Sequence, residues 1–342
     1  MASNNRIFYA CQAVIIMQRG HTPNKDGLVK GLTSVGMSST FTLEQVFEVG
    51  QLSIYENIED VADIEVTLEK LIDGHNLIYA LASAGSCRTD IVTASKTRSD
   101  VYLGIYDDGV SNATGVPRNV CWNSGMYISS VAYNYAVDGN ATESVTLVGN
   151  DRYWNSVATA NNTGKTASQQ WSSDLTSTIF DGSHSPASGV VRRVDVDLAN
   201  STLPEIVKSQ MDPNNVVAKG GGFHVQSVSV SADFGQEQIL ELGRFGPYTR
   251  YATFPIEVTS EFEVMATSGD LVTVSGNGTN LSNNTIIVKD DAGTILNLGT
   301  KNKLSSVSYT GGDTGGGNAT VSYSFSNFND LTVQGGSGIA NT

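Results

Sequence analysis

The sequence predicts a mainly β protein with two tandem β-sandwich domains, the first with a flanking helix. Three observations predict it. Short segments rich in strand-forming residues dominate the chain and alternate with turn residues. The composition is rich in Gly, with 35 residues, and low in charge, at 16%. The order of several segments also recurs in the second half of the chain.

The composition is that of a folded chain with many turns. Apolar residues make up 39% of the 342 residues, and the chain holds 13 Tyr and 11 Phe, which is too many for a disordered protein. Charged residues fall well below the usual share of about a quarter. Low charge combined with abundant Gly, Ser, Thr and Asn favours strands joined by turns.

The strand predictions rest on β-branched and aromatic residues between turn signals. The predicted strands cover residues 6–16, 40–49, 64–68, 101–106, 127–135, 144–148, 225–232, 254–266, 271–275, 285–289, 304–309 and 319–325. Two turns predict hairpins: Asp138-Gly139-Asn140 within residues 126–148, and Asp290-Asp291-Ala292-Gly293.

Two segments have helical signals. Residues 69–84 place Leu71, Ile72, His75 and Ile78 at helical spacing, which predicts the helix that flanks the first domain. In residues 200–211, Ser201 is a candidate N-cap and Pro204 falls in the first turn.

An internal repeat defines the predicted domains. Residues 44–51 (EQVFEVGQ) match residues 237–244 (EQILELGR), and residues 64–69 match 256–261. Weaker echoes follow in the same order, pairing 128–133 with 304–309 and 139–142 with 317–320. The predicted domains are 1–154 and 223–342, separated by a Ser/Thr/Asn-rich excursion with a short helix at 155–222. Convergence of similar strand-turn units is the alternative.

Each repeat carries a Gly and a Tyr at matching positions. Gly50 and Gly243 follow a strand, and such glycines indicate a special backbone angle or a close approach. Tyr55 and Tyr248 lie in the loops that follow, where an aromatic side chain can contact a neighbouring subunit. These four residues are the candidate subunit-contact positions. The alternative is that both tyrosines cover their own core.

The same residues resemble tail-tube proteins of contractile-tailed bacteriophages. The resemblance is carried by residues 47–57, 64–74 and 254–263, and covers roughly 40–84 and 227–266 at the level of pattern. It implies a β-sandwich with a flanking helix, assembly with copies of itself into stacked rings, and a conduit for DNA ejection. The implied partners are tail sheath and baseplate proteins, and the implied location is the virion, assembled in the host cytoplasm.

The chain departs from a minimal tube subunit because it is longer and repeats its core block. Six chains can form the ring, with the two copies in different roles, or three chains can close a pseudo-sixfold ring. The absence of helical spacing after Glu261 makes the copies unequal, which favours a hexamer. A baseplate or neck adaptor, or an outer decoration protein, is an alternative within the same class.

The charge excludes a protein that grips nucleic acid. The net charge is −14 and no basic stripe is present, whereas phosphate binding depends on clustered Lys and Arg. The predicted contact with DNA is therefore transient and non-sticky, because an acidic lumen repels phosphate. No apolar stretch approaches the roughly 20 residues of a membrane helix, so no membrane contact is expected.

No motif indicates an enzyme, a cofactor or a metal site. Gly164-Lys165-Thr166 ends a P-loop pattern, but Thr159 replaces its first Gly. The four histidines are scattered, and Asp107-Asp108 and Asp290-Asp291 are typical of turns. Asp195 and Asp197 are predicted to share the solvated face of a strand.

Aromatic residues near polar loops suggest an alternative function outside the virion class. Trp122, Tyr153, Trp154 and Trp171 lie near polar loops, where aromatic rings can stack on sugars, so a carbohydrate-binding β-sandwich is the alternative from another class. A glycan hydrolase comes third, because no acid pair is visible. The three cysteines, which lack CxxC spacing, are predicted to be buried thiols.

Overall fold

The computed structural model describes residues 6–21, 23–83, 88–108, 113, 115, 117–156, 184–212, 214, 218–276, 281–312 and 317–335. Residues 157–183 of the predicted polar excursion, which include the P-loop-like residues, therefore lie outside the described residues.

The described chain is mainly β, which confirms the predicted fold class. Its strands are β1 Gln12–Gln18, β2 Leu32–Thr40, β3 Leu43–Phe47, β4 Ile54–Glu59, β5 Asp63–Leu71, β6 Arg88–Asp90, β7 Ser99–Ile105, β8 Asn119–Ala136, β9 Thr142–Gly149, β10 Asp151–Ser156, β11 Val225–Asp233, β12 Gln236–Ile239, β13 Thr249–Ala252, β14 Glu257–Met265, β15 Ile287–Lys289, β16 Ile295–Asn297, β17 Lys303–Thr310, β18 Thr320–Phe328 and β19 Thr332–Gln334. The helices are α1 Ile78–Ala82, α2 Ile91–Lys96 and α3 Glu205–Lys208.

The main sheet is antiparallel and open, with a path of eight strands ordered β17-β18-β14-β11-β8-β9-β5-β2. Strands β2, β5, β9 and β8 come from the first half of the chain and are called the first strand set. Strands β11, β14, β18 and β17 come from the second half and are called the second strand set. Within each set the strands have the same spatial order, and β11 pairs with β8 to join the sets.

Irregularities of pairing recur at matching positions in the two sets. A bulge separates Leu32 from Ser34 in β2 and Val225 from Ser227 in β11, both near the start of the strand. The long central strand β8 has a bulge between Ile128 and Ser130, and β17 has one between Leu304 and Ser306. A bulge fixes local twist and register, so the two sets share their ladder geometry as well as their order.

The ladder registers refine the sequence repeat. Ser34 pairs with Glu69, and its counterpart Ser227 pairs with Glu263. The structural counterpart of residues 64–69 is therefore 258–263, two residues beyond the match at 256–261. A slip of two residues keeps every side chain on its own face of the sheet, so the alternating pattern alone does not exclude it.

The main sheet buries one face. Alternate residues are buried along β5, β9, β14 and β18, as expected for a sheet with one face on the core. A four-stranded sheet, β15-β16-β19-β6, contributes to the same apolar core cluster through Val288, Leu296 and Val333. The hairpin predicted at residues 290–293 connects β15 to β16.

The helix predicted over residues 69–84 is wrong for its first part. Strand β5 continues to Leu71, with Leu68 and Lys70 pointing into the core at the two-residue period of a strand. Gly74 then has a φ of +83°, which ends the extended run, and α1 begins only at Ile78.

Three other predicted boundaries also differ. Residues 271–275 form no strand, and Leu271 has a positive φ of 57°. The helix predicted over 200–211 shrinks to α3, capped at Pro204, because the Ser201 hydroxyl donates to the Asp197 carbonyl instead of capping. The first strand begins at Gln12, after a 3₁₀ turn.

Candidate subunit interfaces

The first hairpin, β3–β4, projects from the body with exposed apolar residues on both strands. Gly50 at its tip has a φ of +96°, and no atom lies within 4 Å of a Cβ built there. Tyr55 lies on the return strand β4 and is well exposed, and Val49 and Leu52 beside the tip are fully exposed. Water-exposed apolar surface of this extent is typical of a protein interaction site.

The second hairpin, β12–β13, has the same design but is anchored at its base. Gly243 has a φ of +83° and Tyr248 is exposed, with the Arg244 guanidinium over its ring at 6.0 Å. Arg250 on β13 is buried, donates to Asn150 Oδ1 at 3.0 Å and pairs with Asp63. Both partners belong to the first half of the chain, so the second hairpin is held against the first strand set.

The residue that precedes each hairpin shows the same contrast. Phe234 is fully buried, lies 6.5 Å from the Tyr79 ring, and donates its N–H to the Ser129 carbonyl at 2.8 Å. Phe41, its counterpart before β3, is 66% exposed. Phe41 is thus an exposed aromatic side chain at a position whose counterpart is buried, which makes it a candidate contact residue.

Both ends of the main sheet are open edges. Among the described strands β2 pairs only with β5, and β17 pairs only with β18, so each presents a free row of backbone donors and acceptors. Val35 and Met37 on the core side of β2 are half-buried, and Tyr309 on β17 is 52% exposed. Long open edges favour pairing with another chain.

A groove runs beside the β2 edge. Its volume is about 790 Å³ and it is lined by residues of β1, β2 and the segment before β2, including Val14, Val29 and Val35. The counterpart position beside Val225 and Val228 keeps a cavity of only about 60 Å³, because Val196, Leu198 and Tyr135 occupy that space. Among the described residues, the space that is nearly filled at the junction of the two strand sets is left open beside β2.

The solvent-facing side of the main sheet is small, polar and acidic. Its residues in β5, β9, β8, β11, β14 and β18 are mostly Ser and Thr, with Glu65, Glu69, Glu257, Glu261 and Glu263 on β5 and β14. Over the described residues of these six strands, this face carries no Lys or Arg, and the edge strand β17 adds one cation, Lys303, which pairs with Ser326 and is exposed. Such a surface repels phosphate and offers no stacking platform to a base.

A buried charged cluster fixes the connection between β5 and α1. Glu143 on β9 accepts hydrogen bonds from the Ile78 N–H at 2.6 Å, the Tyr79 N–H at 3.0 Å and the Tyr133 hydroxyl at 3.1 Å. Lys70 is opposite Glu143 in the ladder and donates to the Asn76 carbonyl at 2.8 Å.

Burial raises the pKa of the Glu143 carboxyl, while Lys70 and the backbone N–H groups oppose the rise. The cluster satisfies backbone groups at the start of α1, which is a structural role.

The other sequence candidates have structural roles where they are described. Asp290 closes the β15–β16 turn by accepting from the Thr294 N–H at 2.9 Å, and it also accepts from the Tyr135 hydroxyl. Asp195 and Asp197 lie in turns rather than on one strand: they accept from the backbone N–H of Arg192 and Asn200 respectively. The prediction that both share a strand face is therefore wrong.

Of the aromatic residues considered for sugar binding, the three that the structure describes do not form one exposed platform. Trp122 is buried in β8, stacked on Tyr102 at 6.2 Å and close to Tyr153 at 5.3 Å. Trp154 is 52% exposed on β10, and Trp171 lies outside the described residues.

Cys11 and Cys121 are buried free thiols, and Cys87 lies outside the described part of the chain. Among described residues, no group of three His, Cys, Asp or Glu side chains is placed to hold a metal ion. No helix within the described ranges is long and apolar enough to cross a membrane.

Comparison with known proteins gives likeness at the level of structure. No protein-family model matches the chain, and no curated sequence matches it. A chain of the anti-feeding prophage baseplate is similar at 11% identity with a TM-score of 0.34, over 45% of this chain and 98% of that one. A chain of the anti-feeding prophage tube-terminating cap is similar at 11% identity and a TM-score of 0.34, over 46% and 95%. A chain of the sheath-tube complex of the extracellular contractile injection system PVC, in its extended state, is similar at 13% identity and a TM-score of 0.32, over 46% and 95%.

Proposed function

We propose that this protein is a non-enzymatic virion subunit of the tail-tube type, which assembles with copies of itself into rings that stack into a DNA conduit. One observation carries the proposal: among the described residues, two long sheet edges are unpaired and a hairpin is almost fully exposed. A monomer in solution normally protects such edges, whereas a closed ring removes them.

The solvent-facing side of the sheet supports the conduit part of the proposal. When the sheet edges join in a ring, this face lines one surface of the ring, and the face carries Glu residues on both strand sets. With Glu on β5 and β14 repeated around the ring, the lumen holds rows of carboxylates that keep DNA phosphates from binding. Sheath and baseplate proteins are the proposed outer partners.

The test is assembly of the purified protein, followed by negative-stain electron microscopy and mass photometry across a concentration series. Rings or tubes with an open centre are expected. The hairpin tip is tested with the double variant Val49→Ser/Leu52→Ser, which removes two fully exposed apolar side chains and is expected to weaken association at least tenfold. The control is Val274→Ser, since Val274 is also well exposed but belongs to neither hairpin.

A protein that stays monomeric at every concentration, without and with added sheath or baseplate proteins, contradicts the proposed function. If the tip variant associates as strongly as the Val274 variant, the role of the hairpin in assembly is contradicted, but the proposed function is not. A ring whose lumen binds duplex DNA tightly at physiological salt contradicts the conduit, because an acidic surface gives no favourable counterion-release contribution to binding.

A further inference from the structure

The junction between the two strand sets shows how two copies of this sheet join. Strand β11 opens the second set and pairs antiparallel with β8, which lies at the edge of the first set. The inward pairs of this internal seam are Val230 opposite Tyr133 and Ala232 opposite Val131, and all four side chains are at most 3% exposed. The seam is thus a completed edge-to-edge contact within one chain.

The two open edges are the counterparts of the strands in that seam. Strand β2 occupies in the first set the position of β11 in the second, and β17 occupies in the second set the position of β8 in the first. The bulges of each pair coincide. The contact is head to tail, so the edge left open at one end is the complement of the edge left open at the other.

We propose that β2 of one subunit pairs with β17 of the next in the register of the internal seam, so that three chains with two strand sets each close one ring. This inference rests on the proposed function as a ring-forming subunit. Transferring the register places Met37 opposite Tyr309 on the core side, where the internal seam has Val230 opposite Tyr133. On the solvent-facing side it places Ser38 opposite Ser308 and Thr40 opposite Ser306.

The exposure of counterpart residues supports this register. Tyr309 and Met37 keep exposed surface at the open edges, whereas Tyr133 and Val230 are buried at the seam. Pairing in the transferred register covers Tyr309 and Met37 in the way that the internal seam covers Tyr133 and Val230. It also brings the neighbouring chain alongside the groove of about 790 Å³ beside β2, whose counterpart at the seam is nearly filled.

The hairpins support the same partner. At the internal seam, Phe234 and the base of β12–β13 lie on the preceding strand set, where Arg250 contacts Asn150. At the open ends, the counterpart of Phe234 is Phe41 on the exposed hairpin, and the counterpart of Asn150 is Phe328 at the end of β18, which is 56% exposed. When a second copy pairs with the edge, the first hairpin of one subunit is placed beside β18 of its neighbour, as the second hairpin is placed beside β9 within the chain.

The number of chains follows from the strand count and the conduit. Each chain contributes the eight strands of the main path, so three chains give a ring of 24 strands. At a spacing of about 4.8 Å and a tilt of about 40°, such a ring is about 50 Å across between opposite backbones, against about 95 Å for six chains. The smaller ring keeps a duplex close to the axis, and this is the reason to place the three-chain arrangement above the hexamer that the sequence favoured.

Disulfide crosslinking tests the register. In the variant Ser38→Cys/Ser308→Cys, both side chains face solvent, at opposite ends of the sheet path of one chain, so a bridge between them has to join two subunits. Directly opposite residues bring their Cβ atoms to about 5 Å, which a disulfide spans after small adjustment. The control Thr40→Cys/Thr310→Cys pairs two exposed positions that the register separates by about 13 Å along the strands.

Oxidised rings are analysed on a non-reducing gel against the parent protein, which carries the native cysteines. The expected ladder of the 38/308 variant ends at three chains, with at least tenfold more crosslinking than in the 40/310 control. A ladder that ends at six chains overturns the three-chain ring, and an unlimited ladder overturns closure. If microscopy shows rings but the two variants crosslink equally, or neither crosslinks, the proposed pairing of β2 with β17 is wrong while the proposed function stands. Absence of any assembly by the parent contradicts the proposed function itself.

Discussion

The two strand sets share one scaffold but treat equivalent positions differently. In the second set, the residue before the hairpin, Phe234, is buried on the preceding set; in the first set, its counterpart Phe41 faces solvent. Within the chain, the first strand set supplies the surface that covers Phe234, and among the described strands none lies on the corresponding side of the first set. In the proposed ring, a neighbouring subunit supplies that surface to Phe41.

The cores of the two sets also differ. In the first set, Lys70 and Glu143 are opposite each other and buried, and Glu143 holds the start of α1. The ladder counterparts in the second set are Val264 and Val321, which are also opposite each other and buried. The same two ladder positions thus hold a charged pair where a helix follows β5, and an apolar pair where the described residues after β14 contain no helix.

The largest expected effect distinguishes the two phenylalanines. Phe234→Ala should lower the free energy of unfolding of the monomer by about 3–5 kcal/mol, because a fully buried aromatic side chain leaves a cavity. Phe41→Ala should leave the stability of the monomer within about 0.5 kcal/mol and weaken assembly instead. Chemical denaturation of dilute protein measures the first quantity, and mass photometry measures the second.

Val92→Ala serves as the control for Phe41→Ala, since Val92 is an exposed apolar residue on α2. The comparison of the two sets fails if Phe41→Ala destabilises the isolated monomer as much as Phe234→Ala does. It also fails if Phe41→Ala and Val92→Ala assemble equally well.

A smaller effect is expected at the charged pair. Glu143→Gln should destabilise the protein by about 1–3 kcal/mol, because the amide nitrogen of Gln cannot accept from the backbone N–H groups. Lys70 keeps its ion pair with Asp73 at 3.4 Å but loses the second carboxyl group opposite it in the ladder. Glu65→Gln, on the exposed face of the same strand β5, is the matched control and should stay within about 0.5 kcal/mol.

The pH dependence of the same variant has a defined sign. Because burial raises the pKa of Glu143 above that of the unfolded chain, the native state holds more protons between the two pKa values. The contribution of Glu143 to stability therefore falls as the pH rises through that window, which starts near the ordinary Glu value of about 4.3. The difference in unfolding free energy between parent and Glu143→Gln should shrink over this range. A difference that grows with pH would show that the native pKa is lowered instead.

Much of the fold could be predicted from local pattern. The period-two alternation of residues such as Val66 and Leu68 identifies strands whose one face is buried, and the Asp138-Gly139-Asn140 turn connects β8 to β9 as predicted. The helix over 69–84 failed because its apolar spacing is shared among the end of a strand, a turn at Gly74 and the short α1. Periodicity alone does not separate these when the run is short.

The candidate site was predictable only in part. The repeat marked Gly50, Tyr55, Gly243 and Tyr248 as equivalent positions, and their role as subunit contacts stays a prediction. The open edges and Phe41 were not identifiable as interface positions, because their exposure depends on which strand pairs with which. Phe41 and Phe234 each lie three residues before the matching segments 44–51 and 237–244, so the sequence makes them equivalent. That one is exposed and the other buried depends on the order of strands in the sheet.

The smallest expected effect concerns the two hairpin tips, and it asks whether the strand sets are equivalent there. Gly50→Ala and Gly243→Ala should each weaken the local hairpin by about 1 kcal/mol, because both glycines have positive φ, which an L side chain adopts only with strain. No atom lies within 4 Å of a Cβ at either tip, so the cost is conformational and not steric.

Amide hydrogen exchange of the hairpin backbone measures this effect, for example at the Tyr248 N–H that donates to the Ile239 carbonyl. Gly246→Ala is the matched control, as Gly246 is near the same tip, has no such φ and has equally open surroundings. Faster exchange in both tip variants, with the control unchanged, would mean that the hairpins form by the same backbone geometry in both sets. If exchange is faster only in the first hairpin, then the second hairpin is kept folded by its anchor at Arg250 and not by the geometry of its tip.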